Sequence, residues 1–286
     1  MIEEIDIYKI LYINSLHIML WIIAAKEEKI QLNSEDKINI NVNSLKSLYI
    51  TIYFNETKLG TASGFMVKEK ENLYLITNRH VVTGRNNQTN ECLNRMAAIP
   101  NKLKVWIPQL KNNEYIWSNV EIKLYKENKP LWFEHRKYGS KVDVIAIYLG
   151  KDNINTFFYS LNSNYKTIVT EQLYIVGYPF GYEVNPQNGK YAIWTYGSVA
   201  SDPDLDINIE KEQLPAFLID ARTRSGQSGS PVIYYSNNGM IRNNNGFSIY
   251  GSPITEPVGI YSGRINKESD LGYVWKWEIL KEIINQ

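Results

Sequence analysis

Ser225-Gly226-Gln227-Ser228-Gly229-Ser230-Pro231-Val232 presents a serine hydroxyl among small residues, just ahead of an apolar run. A hydroxyl is a poor nucleophile until a base takes its proton and donors stabilise the oxyanion that follows. Small neighbours let a substrate carbonyl approach the backbone and permit the dihedrals that aim two N–H groups at one point. The chemistry such a loop suits is acyl transfer, with Ser228 as nucleophile. Taken alone, the same residues suit a plain Gly/Ser turn between strands equally well, so the other residues of the chain decide.

The base is sought among three histidines. His17 sits in an apolar stretch and His135 in the charged Glu134-His135-Arg136 run, whereas His80 closes Tyr74-Leu75-Ile76-Thr77-Asn78-Arg79 and precedes Val81-Val82. That pattern puts its ring where a strand meets a loop. A lone histidine there is more often structural. The acid is Asp143 in Lys141-Val142-Asp143-Val144-Ile145-Ala146-Ile147. A carboxylate inside an apolar strand pattern is costly to desolvate unless something pairs with it, and an imidazole N–H is such a partner. Asp152 and Asp204 lie in polar runs, where solvation accounts for them.

These residues need strands to hold them. Short apolar runs separated by Gly and Asn read as strands at 48–54, 64–67, 73–77, 103–108, 120–125 and 142–149, and again at 173–177, 192–200, 216–219, 231–235 and 258–261. Many short strands with few helices between them give an all-β sandwich or barrel. Tyr273 to Ile284 carries Val274, Trp277, Leu280, Ile283 and Ile284 at three- and four-residue spacing, which predicts an amphipathic C-terminal helix over 273–285. Residues 1–45 read as an N-terminal extension built on the apolar stretch Ile10 to Ala25, followed by a polar run, with the β-rich unit over 46–286.

Gly60-Thr61-Ala62-Ser63-Gly64-Phe65, the Thr77–Val82 block, Asp143, Val176-Gly177-Tyr178-Pro179-Phe180-Gly181 and the Ser228 loop follow one another in a fixed order. Together they resemble the trypsin-like serine peptidases, in particular the bacterial branch with HtrA-type and glutamyl-endopeptidase-like enzymes, over roughly residues 46–285. The resemblance implies an all-β, chymotrypsin-like fold of two packed six-stranded antiparallel β-barrels, with His80 and Asp143 on the first and Ser228 on the second. It implies His80 as general base and acid, Asp143 as the residue orienting it, and the N–H groups of Gly226 and Ser228 as the oxyanion hole. By the same resemblance Arg222, Thr223, Tyr261, Ser262 and Gly263 line the pocket for the residue preceding the scissile bond, and 261–263 pairs with substrate backbone as an added strand. A guanidinium there would favour an acidic side chain; Arg222 and Arg224 fit surface charges equally well. Tyr261 stands where glutamyl-specific relatives carry histidine.

Gln227 stands where many relatives have Asp, so activation by a freed N-terminus pairing with that acid is not expected. Nor is a PDZ domain expected after the protease unit. The reading is a serine endopeptidase with a polypeptide substrate. A latent or pseudoprotease binding module on the same fold, regulated by the N-terminal extension, is the alternative.

Composition narrows the rest. The net charge of +1 and the lack of a basic block argue against nucleic acid as a partner. Neither Cys-x-x-Cys, His-Glu-x-x-His nor clustered carboxylates point to a metal, and no cofactor is expected. The single cysteine, Cys92, precludes an internal disulfide, which suits a reducing compartment such as the cytoplasm. Ile10 to Ala25 is short for a membrane span and follows acidic residues where a secretory signal wants basic ones. A helix packed on the body or on a partner is the expectation, with export or membrane anchoring the alternative.

Overall fold

The computed structural model describes residues 28–29, 40–152, 155–163, 165–184, 189–243, 246–266 and 268–285. The helix expected over Ile10 to Ala25 lies outside the described residues.

In the first lobe, β1 (Ser47–Phe54), β2 (Thr57–Glu69), β3 (Asn72–Thr77), β4 (Lys102–Lys111), β5 (Glu114–Lys123) and β6 (Ile145–Lys151) form one antiparallel sheet in the order β5-β4-β1-β2-β3-β6. In the second lobe, β7 (Gln172–Gly177), β8 (Ile193–Val199), β9 (Ala216–Ala221), β10 (Pro231–Ser236), β11 (Ile254–Arg264) and β12 (Leu271–Lys276) close into a barrel in the order β7-β8-β9-β12-β11-β10. The expected all-β, two-lobed architecture therefore forms, with one difference. The first sheet is not closed strand to strand. A strap after β6 spans its open side instead: Leu110 donates its N–H to Asn155 at 2.8 Å, Thr156 Oγ1 donates to the Pro108 carbonyl at 2.7 Å, and Tyr159–Ser160 then pairs parallel to β2. On the far edge of the sheet Glu28–Lys29 pairs with β5.

The strands are apolar on both faces because each serves two cores. Side chains alternate across a strand. On β1 Leu48 and Ile50 enter the first lobe's core while Tyr49 faces the second lobe, and on β6 Ile145 and Ile147 turn inward while Ala146 turns to the interface. β7, β10 and β12 repeat the pattern, with Ile175, Val232 and Val274 inside the barrel and Val176, Ile233 and Trp275 at the interface. The result is a third, continuous core between the lobes, and it fixes their relative placement.

The C-terminal helix is shorter than the spacing predicts. Tyr273 to Lys276 belong to β12, which pairs with both β9 and β11 and closes the barrel, and only Ile279–Ile284 is helical. Leu271-Gly272-Tyr273-Val274-Trp275 is rich in β-branched and aromatic residues, and its chance three- and four-residue spacing mimics a helix. Between strand and helix, Trp277 stacks on Phe65 with centroids 5.3 Å apart and donates its indole N–H to the Leu161 carbonyl at 3.1 Å. The C-terminus is thereby fastened to the first lobe.

Trp277→Ala removes this fastening together with a fully buried ring. Denaturant unfolding is expected to show a loss of about 3–5 kcal/mol; a loss under about 1 kcal/mol would mean the lobes are held elsewhere.

Candidate active site

His80 is positioned by a short helix that starts where β3 ends. β3 leads through buried Thr77 and Asn78 into the helix Arg79–Thr83, which stops at Gly84 in the left-handed region, φ 64°. Gly84 caps the turn by donating its N–H to the His80 carbonyl at 2.9 Å. Asp143 lies two residues before β6 rather than within a strand as its sequence pattern suggests, so its backbone carbonyl is free to accept from Asn78 Nδ2 at 2.7 Å. The two residues meet through both carboxylate oxygens. Oδ1 accepts the His80 backbone N–H at 2.8 Å and Oδ2 accepts Nδ1–H at 2.6 Å.

A carboxylate accepts and does not donate. Nδ1 therefore carries the proton, and the Nε2 lone pair is left pointing away from the acid. Ser262 Oγ donates a third hydrogen bond to Asp143 Oδ2 at 2.5 Å. With three donors, a carboxylate only 4% exposed is compensated. Burial by itself lowers the His80 pKa, but the Asp143 charge and hydrogen bond outweigh it and hold the imidazole above its usual 6.5.

Ser228 comes from the other lobe. Its carbonyl accepts the Ser63 N–H at 2.9 Å, and its Oγ donates to the Ser262 carbonyl at 3.2 Å. Ser262 thus touches both halves of the constellation, its hydroxyl on Asp143 and its carbonyl on Ser228. The resemblance places Ser262 along the substrate strand and gives its hydroxyl no part in holding the acid; its position one residue past a buried aromatic on β11 carries no signal for that contact.

The loop before Ser228 is held open. Neither the Gly226 N–H nor the Ser228 N–H has an acceptor among the described residues. Gly226 has φ 96°, and a Cβ there would lie 2.4 Å from the Tyr178 carbonyl oxygen, so only glycine fits. The neighbouring segment is anchored by the Phe180 N–H on the Ser225 carbonyl at 2.6 Å, and Ser63 Oγ donates to the Gly226 carbonyl at 2.8 Å while accepting the Tyr178 N–H at 3.0 Å.

Gln227 is fully buried and locks the loop from within. Its Oε1 accepts the Arg224 N–H at 2.8 Å and its Nε2 donates to Thr195 Oγ1 at 2.9 Å. The sequence marked Gln227 as a departure; the structure gives it this positioning part. Gly177 completes the junction, since a Cβ there would come within 2.0 Å of Ser230 Oγ and 2.7 Å of Ser63 Oγ. Ser63 and Gly177 belong to stretches the resemblance singled out without a stated part.

The remaining candidates sit on the other side of Ser228. Arg222 is exposed, Arg224 turns its guanidinium to the Thr223 carbonyl at 2.8 Å, and the buried Thr223 hydroxyl is hydrogen-bonded to the Tyr261 hydroxyl. Beyond Ile260, whose partner is Pro231, the Ser262–Arg264 end of β11 outruns β10 and leaves one strand edge open.

Residues 62–240 match the family model described as the trypsin-like peptidase domain. No curated protein sequence matches the chain. Among solved structures it is similar to Rv3671c from M. tuberculosis H37Rv in an inactive form, at 16% identity over 90% of this chain and 95% of that one, with a TM-score of 0.45. It is similar to Deg5 at 18% identity over 88% of this chain and 94% of that one, with a TM-score of 0.48. A serine endoprotease from Yersinia pestis is 13% identical over 87% of this chain and 67% of that one, with a TM-score of 0.45. Because the family match spans well over half of the chain and runs through His80, Asp143 and Ser228, the chain belongs to the trypsin-like peptidases.

Proposed function

We propose that Ser228, His80 and Asp143 are the catalytic triad of this serine endopeptidase, and that it cuts polypeptides through an acyl-enzyme. The observation that carries the reading is the capture of His80 by both oxygens of Asp143, which fixes the tautomer a base needs. The Ser228 hydroxyl leaves the Ser262 carbonyl and turns to Nε2, at the cost of a neutral hydrogen bond of about 1 kcal/mol. The released carbonyl then accepts an N–H from a substrate strand laid along the open edge of β11.

The chemical steps follow from this arrangement. Nε2 takes the hydroxyl proton as Oγ bonds to the scissile carbonyl carbon, and the carbonyl oxygen gains its charge between the Gly226 and Ser228 N–H groups. The imidazolium formed is stabilised by the Asp143 charge. It returns its proton to the leaving nitrogen as the C–N bond breaks, giving an ester on Ser228. Water, deprotonated by the same Nε2, attacks that ester; Ser228 regains its proton and the acid product departs. Removing the N–H of either donor from this geometry is worth on the order of a hundredfold in rate.

Ser228→Ala is expected to abolish labelling by a fluorophosphonate and to lower kcat by about a millionfold while leaving the circular dichroism spectrum unchanged. Retained labelling or turnover would remove Ser228 from the reaction.

The raised His80 pKa gives a second expectation. The base must be neutral, so kcat/KM should fall as pH drops, with a midpoint above the usual 6.5. Asp143→Asn removes what raises it and should move that midpoint to lower pH, with a loss of about 10,000-fold in kcat. An acid limb at or below 6.5 in the wild type, or one unmoved by the substitution, would mean that another group governs the profile.

A further inference from the structure

The space that would receive the side chain of the residue before the scissile bond is already filled. On the reading above, that residue holds its carbonyl carbon against Ser228 Oγ and its oxygen between the Gly226 and Ser228 N–H groups. Its own side chain then leaves toward the gap between residues 223–226 and the 261–263 edge of β11. The Tyr261 ring spans this gap. It starts on β11, its hydroxyl is bonded to Thr223 on the opposite wall, and the two side chains are only 2% and 1% exposed. The ring lies over Gly272, where a Cβ would come within 2.6 Å of Tyr261 Cε2.

The ring is also fixed at its base. Gly229 donates its N–H to the Tyr261 carbonyl and Tyr261 donates its own N–H to the Ser230 carbonyl, each at 2.9 Å. Swinging the ring aside would break the hydroxyl pair, leave Thr223 unpartnered and strain backbone joined to the nucleophile loop.

Room exists one residue further upstream. A substrate strand alternates its side chains, so the residue before that one points to the opposite side, toward His80. A cavity of about 640 Å3 lies there, reached past His80, Ser262 and Gly263. That is within the size range of cavities that take ligands. Its lining is mixed: Leu93 and Tyr273 give it apolar surface, Arg79, Glu210 and Arg264 bring charge, and Lys141 and Glu212 form an ion pair there. Open space adjoins Gly263, where a Cβ would meet nothing within 4 Å.

We propose that Tyr261 closes the subsite beside the nucleophile, so that the enzyme cuts after Gly, Ala or Ser, while the cavity beside His80 leaves the residue one position further upstream free to be large. Polypeptides with a small residue at the cut are the substrate class. The inference rests on the acyl-enzyme reading.

Cleavage-site profiling of the full chain on a mixed peptide library tests it, alongside fluorophosphonate labelling of the same preparation. The wild type is expected to favour Ala over Leu or Phe at the residue before the cut by about tenfold or more. Tyr261→Ala should admit Leu and Phe at the cut, shrinking that preference to about twofold or less. The wild-type profile is decisive by itself, should that variant not fold. A labelled wild type that cuts after Leu or Phe as readily as after Ala overturns the inference and leaves the acyl-enzyme intact. A wild type that neither labels nor cuts any peptide overturns both.

Discussion

Asp143 is a carboxylate placed where water scarcely reaches, and such a group is tolerated only when donors replace its hydration. Two of its donors, the His80 N–H and Nδ1–H, come from the first lobe, and the third, Ser262 Oγ, comes from the second. The acid is therefore compensated only while the lobes are docked. The continuous core between them, from Phe65 and Val176 to Trp275, Trp277 and Leu280, is what keeps them so. Packing at the interface and the state of the imidazole are two ends of one chain of contacts. Separation of the lobes would strip Asp143 of Ser262 and carry Ser228 away from His80 together.

The loop before Ser228 is held on different terms. Gln227 uses a neutral amide, with partners Arg224 and Thr195 in its own lobe, to keep Gly226 at its positive φ. No charge is buried at Gln227 to do so. Ser63 adds the cross-lobe part, with its hydroxyl on Gly226, its N–H on the Ser228 carbonyl and its carbonyl accepting from Thr77. The loop so held leaves two N–H groups without acceptors among the described residues, and the buried side of the same junction admits no side chain at Gly177. Small residues in these stretches serve close backbone approach; they are not loose turns.

Much of this was legible in the sequence, for definable reasons. Strands buried on both faces read as short continuous apolar runs, so most barrel strands were found from composition and their Gly and Asn boundaries. His80 and Ser228 stood out because each lies at the mouth of such a run, and Asp143 because a charge interrupted one. The pattern erred where two periods coincide. Val274 and Trp277 fit helical spacing, yet Leu271 to Lys276 is the strand that closes the barrel. Contacts that depend on side-chain direction were not readable either. The turn of Ser262 Oγ to Asp143, the reach of Tyr261 to Thr223 and the strap over 155–160 arise from distant segments meeting in space. Arg222, which the resemblance set beside the substrate, is exposed, and the hydroxyl of Thr223 is taken by Tyr261.

The proposed reaction requires one lobe's imidazole to be presented to the other lobe's hydroxyl. A crystal structure of the protein with an alanine-ended peptidyl boronate observes that meeting directly, because boron adopts the tetrahedral arrangement of the attacked carbonyl. The expected adduct has boron bonded to Ser228 Oγ, one boronate oxygen within hydrogen-bond distance of the Gly226 and Ser228 N–H groups, and His80 Nε2 on the other while Nδ1 stays on Asp143. An adduct on another side chain, or one with the His80 ring out of reach of boronate and Ser228 alike, would contradict it.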